Sequence, residues 1–472
     1  MWNFWFPRKI LERKKLMTKL IAAIMALIQA VMIYFGSTGV NTGKWKLESI
    51  PRYEGGVVCE NVYDTGSGLL SDKEGPTKSD GKMQLVSATS FSEYTEYCDK
   101  LVSNGFEEVF SNELGGVNCN AFRKDGRFFY TYYCANTKEA RIIEDNCTRN
   151  FEDFGYTYSE GSTATVYQFD YPYCVTPDLR EKGPLSTNGM MYIIRLADNS
   201  LVVIDGGSIK QSADKNIEEC MKFMRKITKT SDDEKIRIAL WYSTHSHSDH
   251  ITFFYKLIGF YHDYLDVERL MFNYPSHAII SHSERADMFR RRIAKFYPEA
   301  KYLAPHTGMS INIANIKIDV LYTHEDAVSA LTGKTPVKNA NDSSTTCRIT
   351  AAGKNFLVFG DLGSVGEKTM IKMHGKKVFK TDILQAPHHI YNSVIHIYAN
   401  SKAQYVFCSL SRERARLGKN GYCSAKLFYR EKQLLFANDA LYGIEMSKDG
   451  LTLSVAHTDC VPYDNSSMNT IR

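Results

Sequence analysis

Apolar residues recur along this chain at two spacings, and each spacing predicts a different element. Between residues 90 and 105 they return every three or four positions, behind a capping box of Ser90 and Glu93 and ahead of an Asn-Gly pair, which predicts a helix. Shorter apolar runs follow: "VNCNAFRK" turns at an Asp-Gly pair into "RFFYTYYC", and "EARIIED" and "ATVYQFDY" come next. These runs predict strands. Residues 45–172 therefore predict a small α+β domain.

A second pattern begins near residue 175. "MMYIIRLA" and "SLVVIDGG" predict a hairpin, residues 212–228 a helix, "IRIALWYST" (236–244) a strand and "ITFFYKLIGFYH" a helix. Further predicted strands are "KIDVLYT", "TTCRITAA", "NFLVFGDL", "TDILQAPHH" and "AQYVFCSL", before a closing hairpin in "YGIEMSKDGLTLSVAH". Strands separated by helices indicate layered sheets covered by helices. A chain of 472 residues, 43% of them hydrophobic, is long enough for this second domain, 175–472, beside the first.

The first forty residues have a different composition. The basic stretch "RKILERKKLMTK" runs into "LIAAIMALIQAVMIYFG" (20–36), seventeen residues without a charge, just short of a full membrane span. Residues 1–40 therefore predict a signal peptide or an N-terminal membrane anchor; "FGSTGV" leaves cleavage and anchoring open, and an ordinary buried helix is the alternative. Because the basic flank keeps that end inside the cell, we expect the rest of the chain to be secreted or anchored on the outer face of the membrane.

Charge and cysteine content narrow the picture only a little. The formal charge of +5 is spread along the chain, with basic runs at "RRRIAKFYPEAK" (290–301) and "SRERARLGK" (411–419). Such runs form solvated faces in most proteins, and contact with a phosphate substrate is the alternative. The 11 cysteines are an odd number without CxxC spacing, which excludes complete internal pairing and disfavours a cysteine zinc site. Cys119 and Cys134 flank one predicted turn in diagonal register, so no disulfide is predicted there.

The stretch "STHSHSDHI" (243–251) carries the strongest chemical signal. It places three of the chain's 13 histidines and one aspartate within six positions. Neutral imidazole and carboxylate are the side chains that hold zinc and similar ions, so the stretch predicts a metal site. Two later strands end in the same residue types. In chain order the candidate ligands are His245, His247, Asp249, His250, Asp361, His388 and His389.

This order of motifs resembles that of the metallo-β-lactamase superfamily. "LVVIDGGS", "THSHSDHI", "FLVFGDL" and "LQAPHHIYNS" are similar to its successive motifs, and the resemblance covers roughly residues 175–460. The most similar subgroup comprises the hydrolase domain of bacterial DNA-uptake (competence) proteins and the exported phosphocholine esterases, in which an N-x-S, here Asn341 and Ser343, precedes the Gly-Asp. The resemblance implies a four-layer αββα sandwich with metals at one edge between the sheets, preceded here by the small α+β domain.

The resemblance also implies a role for each candidate residue. It assigns His245 and His247 to one metal ion, Asp249, His250 and His389 to the other, and Asp361 to a bridge between them. His388 would contact the anionic oxygen of the substrate, although the roles of His388 and His389 could be exchanged. Asp249 and His388 are accordingly the candidate catalytic residues. Asp205 would orient the ligand loop, because metal-bound imidazoles need acceptors for their outer N–H groups.

Two departures from the family pattern bear on activity. Many members have a further ligand histidine shortly before the bridging aspartate, and His306 and His324 lie too far upstream to replace it convincingly. The subgroup commonly lacks this histidine too. The subgroup also has glycine after the His-His pair where this chain has Ile390, whose bulk is expected to narrow the substrate pocket.

Together these features predict an exported metal-dependent hydrolase. Two divalent ions, with zinc favoured over manganese, would lower the pKa of a shared water so that hydroxide is available near neutral pH. A phosphodiester suits this chemistry, and the expected substrates are nucleic acid, a phosphocholine polymer or a small diester. The alternatives are a lactam, lactone or thioester hydrolase of the same fold and a surface binding protein with a structural metal site. Residues 45–172 would position substrate, bind a partner or serve structure alone.

Overall fold

The computed structural model describes residues 43–66, 81–148, 151–154, 159–169, 189–208, 214–275, 280, 284–418, 420–437 and 439–457. The signal peptide or anchor predicted for residues 1–40 lies outside these ranges. Within them, no helix combines the length and the apolar character needed to cross a membrane.

Every cysteine in the described ranges is a free thiol. On the two neighbouring strands, Cys119 lies opposite Tyr132 and Cys134 lies opposite Val117, which confirms the diagonal register of the two cysteines.

The described residues form eight α-helices and 23 strands. The helices are α1 (Phe91–Ser103), α2 (Asp214–Thr228), α3 (Ser248–Tyr261), α4 (Glu284–Phe296), α5 (Ser364–His374), α6 (Ile395–Ser401), α7 (Arg412–Gly418) and α8 (Asn420–Lys426). The strands before residue 200 are β1 (Val57–Val58), β2 (Tyr63–Asp64), β3 (Gly81–Ser87), β4 (Glu107–Leu114), β5 (Val117–Lys124), β6 (Arg127–Cys134), β7 (Glu139–Asp145), β8 (Ala164–Gln168) and β9 (Met191–Arg195). The later strands are β10 (Leu201–Asp205), β11 (Ile236–Tyr242), β12 (Leu265–Val267), β13 (Arg269–Met271), β14 (Lys301–Leu303), β15 (Ser310–Ile313), β16 (Ile316–Tyr322), β17 (Thr346–Ala351), β18 (Lys354–Val358), β19 (Ile383–Gln385), β20 (Tyr405–Cys408), β21 (Leu434–Phe436), β22 (Leu441–Ser447) and β23 (Gly450–His457).

The N-terminal sheet is antiparallel and carries α1 on one face. Its strands run in the order β1-β3-β7-β6-β5-β4, with β2 beside β3. The capping box predicted for α1 is present, since the Ser90 hydroxyl accepts from the Glu93 amide and the Glu93 carboxylate accepts from the Ser90 amide. Leu101 and Tyr94 of α1 pack with Ile142 and Phe129 of the sheet. Most of this helix and its strands were therefore predictable from local pattern.

Two further sheets face each other in the rest of the chain. One has the order β14-β13-β11-β10-β9-β8-β22-β23, with β12 beside β11, and is parallel from β10 to β14. The other has the order β15-β16-β17-β18-β19-β20-β21 and is parallel from β18 to β21. The carboxyl ends of neighbouring parallel strands lie at one edge of a sheet, where α/β proteins form their binding sites.

The alternation of side chains along the strands produces four layers. Val202 and Ile204 of β10 point into the core shared with the opposite sheet, whereas Leu201 and Val203 pack under α2, α3 and α4. The other sheet repeats the pattern: Val358 faces the shared core, and alternate residues pack under α5, α6, α7 and α8. The predicted αββα sandwich is thereby confirmed.

Strand β8 links the two parts of the chain. Its residues were predicted as the last strand of the first domain, but they pair with β9 and β22 in the larger sheet. The division into domains at about residue 172 stays a prediction, and that boundary falls in 170–188, outside the described residues.

Candidate metal centre

The histidine-rich stretch lies where β11 ends and α3 begins. β11 stops at Tyr242, residues 243–247 continue along the edge of the sheet, and His247 precedes the first turn of α3, which contains Asp249 and His250. The helix is anchored to the end of β10, because the Phe254 amide donates to the Gly206 carbonyl at 2.7 Å. Strand, loop and helix thus fix all four side chains of this motif at the sheet edge.

The other candidate ligands come from the opposite sheet. Asp361 follows β18, and His388 and His389 follow β19 in a turn where both have positive φ, 51° and 53°. Gly360 allows the two edges to meet: its φ is +58°, and a Cβ there would lie 2.7 Å from the Thr244 hydroxyl. The close approach of these loops therefore depends on a glycine.

The structure brings six of the seven predicted residues into two groups. One consists of His245, His247 and Asp361, and the other of Asp249, His250 and His389; within each group, one potential ligand atom per residue lies within 4.8 Å of the others. Asp361 faces both groups, with Oδ1 3.2 Å from His250 Nε2 and Oδ2 3.8 Å from His245 Nε2. Asp361 therefore lies between the two groups, and the assignment of these residues to two metal ions stays a prediction.

Hydrogen bonds define which nitrogen of three histidines is available for a ligand. The Nδ1 of His389 lies 3.1 Å from the Ser409 carbonyl, which can only accept, and the Nδ1 of His250 lies 2.7 Å from Asp205 Oδ2. The Thr244 hydroxyl donates to Asp205 at 2.8 Å, so it accepts from the Nδ1 of His245 at 3.1 Å. In each neutral ring, therefore, Nδ1 carries the proton and Nε2 presents a lone pair.

These Nε2 atoms point at one another and at carboxylate oxygens. The Nε2 atoms of His250 and His389 are 3.2 Å apart, and His389 Nε2 is 3.4 Å from Asp249 Oδ2. Both His245 Nε2 and Asp361 Oδ1 are buried, and neither has a hydrogen-bond partner among the described residues. Buried lone pairs that converge in this way must be satisfied by protons on some of the rings or by cations between them. The donor set thus fits two divalent metals.

The chain has the metallo-β-lactamase fold. Two ligand groups with Asp361 between them, at the edge of an αββα sandwich and in this motif order, decide it. No protein-family model matches the chain, and no curated protein sequence matches it significantly. Whether it belongs to the competence-protein and phosphocholine-esterase subgroup stays a prediction.

Several solved structures resemble this chain. The metallo-β-lactamase fold protein YhfI from Bacillus subtilis matches with 14% identity over 60% of this chain and 98% of its own, with a TM-score of 0.37. A diphosphatase of the PhnP family matches with 12% identity over 62% of this chain and 99% of its own, with a TM-score of 0.35. The short form of human tRNase Z matches with 10% identity over 53% of this chain and 94% of its own, with a TM-score of 0.30. With TM-scores of 0.30 to 0.37, these likenesses carry no conclusion about this chain.

The electrostatics of the centre reflect the crowding of acids and imidazoles. Burial would lower the pKa of His250, but the carboxylates of Asp361 and Asp205 outweigh burial and raise that pKa to about 10. Burial is again opposed at His389, whose pKa is raised by Asp361 and Asp249. Burial and the neighbouring His250 hold the pKa of His245 well below its usual range. Metal binding must therefore displace protons from some of these rings.

His388 is held differently from His389. His389 is fully buried, whereas the side chain of His388 is 28% exposed, and its Nε2 lies 3.6 Å from Asp361 Oδ2. The Asn392 amide donates to two main-chain carbonyls, so its oxygen accepts from the Nδ1 of His388 at 3.0 Å. Asn341 lies 3.4 Å from the other ring nitrogen. The two adjacent histidines thus face different sides, with His388 on the accessible side of Asp361.

The expectation that Ile390 narrows the substrate pocket is wrong. Its side chain is 1% exposed and packs in the core under the outer helices with Leu362, Val394 and Ile397. The usual glycine at this position has a backbone reason instead, because φ at Ile390 is +66°, a conformation that strains a β-branched residue. Its carbonyl also meets Gly421, where a Cβ would lie 2.0 Å away.

His306 and His324 belong to a buried network that is separate from the two ligand groups. His306 lies between Glu325, at 2.8 Å, and Asp145 of β7, at 3.1 Å. His324 bonds to Tyr63 and Asn273. The network joins the N-terminal sheet to the sandwich. Sequence reasoning missed this network because its members are far apart in the chain and each is unremarkable alone. For the same reason it missed the groups that orient the candidate ligands, namely Thr244, Asn392 and the Ser409 carbonyl.

Proposed function

We propose that this chain is a metal-dependent phosphodiesterase that acts outside the cytoplasm. The observation that carries the proposal is the pair of ligand groups at the sandwich edge, each with two imidazoles and a carboxylate, in which Asp361 of one group lies 3.2 Å from His250 of the other. When bound there, two divalent ions would supply an acidified water and neutralise charge on the attacked phosphate. The two non-bridging oxygens of a diester match two adjacent cations, which is why this substrate class is favoured.

The chain's own residues position the reacting groups. Asp205 accepts from the Thr244 amide, the Thr244 hydroxyl and His250, and it thereby holds two ligand rings in the required tautomer. Asp249 lies at the start of α3, with its Oδ2 3.4 Å from His389 Nε2, and its carboxylate is 26% exposed. These contacts pre-organise the centre before substrate arrives, so little reorganisation is needed during the reaction.

His388 is the residue proposed to act on the substrate directly. Because Asn392 takes the proton of Nδ1, His388 can donate from Nε2 only as an imidazolium. In that form Nε2 would contact the developing charge or pass a proton to the leaving oxygen. Its partial exposure, next to Asp361 Oδ2, suits contact with substrate better than the buried position of His389.

Export is part of the proposal and rests on the sequence of residues 1–40. The basic stretch followed by seventeen uncharged, mainly apolar residues supports secretion or anchoring at the outer face of the membrane. A substrate outside the cytoplasm would then be nucleic acid, a phosphocholine polymer or a smaller diester.

The proposal is tested by measuring metal content together with turnover of bis(p-nitrophenyl) phosphate by the full-length protein. We expect two divalent ions per chain and hydrolysis that stops when a chelator removes them. Asp361→Ala should lose metal and activity together, whereas Asp319→Asn, a control at a carboxylate that is 6% exposed and pairs with Lys317, should retain both. A metal-loaded protein that hydrolyses lactams or lactones but no phosphodiester would contradict the proposal, and one inert to all of them would favour a binding protein.

A further inference from the structure

Tyr274 lies behind the candidate metal centre and reaches it through Ser243. The Tyr274 hydroxyl is 2.6 Å from the Ser243 hydroxyl, which in turn lies 3.3 Å from Oδ1 of Asp205. Tyr274 is 1% exposed, and burial raises the pKa of its phenol, so the phenol keeps its proton and donates it to Ser243. The proton of Ser243 is then directed to Asp205, whose other oxygen accepts from His250. Three hydrogen bonds thus connect Tyr274 to a candidate metal ligand.

The orientation of the Asp205 carboxylate depends on all of its donors. These are the amide and the hydroxyl of Thr244, the hydroxyl of Ser243 and the Nδ1 of His250. Without the Tyr274 phenol, the Ser243 hydroxyl could turn to the His245 carbonyl, which lies 3.5 Å away. The carboxylate would then lose a donor on one oxygen, and the plane in which it holds His250 would be less well defined.

The segment that carries Tyr274 is held by the N-terminal sheet. The side-chain amide of Asn273 donates to two other oxygens, so its own oxygen accepts from Nε2 of His324 at 3.1 Å. Burial lowers the pKa of His324 to about 4, so the ring is neutral and its Nδ1 accepts from the hydroxyl of Tyr63 in β2 at 2.9 Å. A Cβ at Gly66, just after β2, would lie 2.4 Å from the Asn273 oxygen and 2.9 Å from the Tyr274 carbonyl. Hydrogen bonds and close packing therefore fix residues 273 and 274 against the N-terminal part of the chain.

We propose that Tyr274 is a positioning residue of the metal centre and is itself held in place by the N-terminal sheet. This inference rests on the metal centre of the proposed function and deepens it. Tyr274 belongs to neither ligand group and acts through Ser243 and Asp205 on the orientation of His250. Partners that orient metal ligands tune metal affinity. The N-terminal sheet would thus contribute to metal binding without supplying a ligand.

The test measures the zinc affinity of the full-length protein by competition with a chromogenic chelator. We expect Tyr274→Phe to bind zinc about three- to tenfold more weakly, the size of one neutral hydrogen bond. Ser243→Ala should weaken binding by at least as much. The double variant should bind zinc no more weakly than Ser243→Ala alone, because the phenol then has no route to Asp205. A merely structural role of Tyr274 would instead give additive losses.

Tyr302→Phe is the matched control. Tyr302 is also 1% exposed, and its hydroxyl donates to the Phe272 carbonyl at 2.7 Å and not to Ser243. This variant should lose stability but keep the wild-type zinc affinity. Wild-type affinity in a folded Tyr274→Phe protein, equal losses of affinity in Tyr274→Phe and Tyr302→Phe, or additive losses in the double variant would overturn the positioning role alone. A wild-type protein that binds no zinc would overturn the proposed function as well.

The part of the N-terminal sheet is tested by Gly66→Ala, whose added methyl group pushes against Asn273 and Tyr274. We expect zinc affinity to fall about threefold or more in a protein that stays folded by circular dichroism, and to fall no further when Ser243→Ala is combined with it. Tyr63→Phe, which removes the donor to His324, gives the same test if Gly66→Ala does not fold. Wild-type affinity in the variant that folds would overturn the role of the sheet.

Discussion

Replacing Asp205 by asparagine should weaken metal binding in both ligand groups although Asp205 itself belongs to neither. Its Oδ2 accepts from the Nδ1 of His250 at 2.7 Å and from the Thr244 hydroxyl at 2.8 Å, and that hydroxyl accepts from His245. Asparagine keeps the shape but replaces one acceptor oxygen with an NH2 group. The Thr244 amide, 2.7 Å from Oδ1, retains an oxygen in the better orientation, so the NH2 group faces His250.

Both rings are then driven to the wrong tautomer. An NH2 donor opposite His250 favours the proton on Nε2, which removes the lone pair that faces Asp361. The same NH2 group also donates to the Thr244 hydroxyl, which can then turn its own proton towards Nδ1 of His245. A ring that accepts at Nδ1 carries its proton on Nε2, so His245 loses its ligand lone pair as well. One atom changed in the carboxylate thus removes one ligand lone pair from each group.

The magnitude follows from the bonds that must be broken to restore the ligands. If His250 returns to its metal-binding tautomer, its Nδ1–H points at the NH2 group of the asparagine; if His245 does so, the Thr244 O–H points at that group. In each case a hydrogen bond to a charged partner is lost, which costs about 1.5–3 kcal/mol. We therefore expect each metal to bind about 10–100-fold more weakly, the usual effect of removing an orienting partner. The fold should persist, because the substitution is isosteric.

Competition with a chromogenic chelator measures this affinity, with circular dichroism as a check on folding and Asp319→Asn as the control. We expect both binding steps to weaken in Asp205→Asn and neither to weaken in Asp319→Asn. A folded Asp205→Asn protein that binds both metals within about threefold of the wild type would refute the tautomer argument.

Four further outcomes are expected. His388→Ala should keep nearly full metal content but lose ~10²–10³-fold in turnover, whereas His389→Ala should lose one metal; loss of metal from His388→Ala alone would exchange their roles. The raised pKa of His250, about 10, leaves this residue protonated at neutral pH without metal, so metal loading should release about one or two protons per chain. Calorimetry in buffers of different ionisation enthalpy measures this release, and its absence would contradict the protonation state. Burial would lower the pKa of His306, but Glu325 and Asp145 raise it to about 10, above its unfolded value, so its contribution to stability should be complete below about pH 6.5 and lost as pH rises through about 10. Urea unfolding should thus show a smaller loss of stability between pH 7 and pH 10 in His306→Gln than in the wild type, and equal losses would exclude this ion cluster as the cause. Residues 1–45 fused to a reporter active only after translocation should give signal, and a well-expressed but silent fusion would count against export.

Local pattern was sufficient for much of the fold. The alternation in β10, the capping box of α1 and the Asp-Gly turn between β5 and β6 each depend on residues a few positions apart, and each is present in the structure. The strand β8 was placed in the wrong sheet because pairing partners, here β9 and β22, are chosen by packing and not by local preference. Short strands such as β13 and β14 gave no clear periodic signal.

The candidate ligands were predictable because their residue types and order are unusual, whereas their orientation was not. Sequence spacing does not reveal that Thr244 relays a bond from His245 to Asp205, or that Asn392 sets the tautomer of His388. Ile390 shows the opposite error: its size suggested a steric effect, but the backbone turn directs its side chain into the core. Tertiary contacts between distant loops decide these points.

The most direct test of the central claim is a crystal structure of the full-length protein loaded with zinc, with anomalous data collected at the zinc edge. Two anomalous peaks are expected, one among His245, His247 and Asp361 and one among Asp249, His250 and His389, with Asp361 in contact with both. Zinc bound at other residues, or no peak at either group in a fully loaded crystal, would contradict the account.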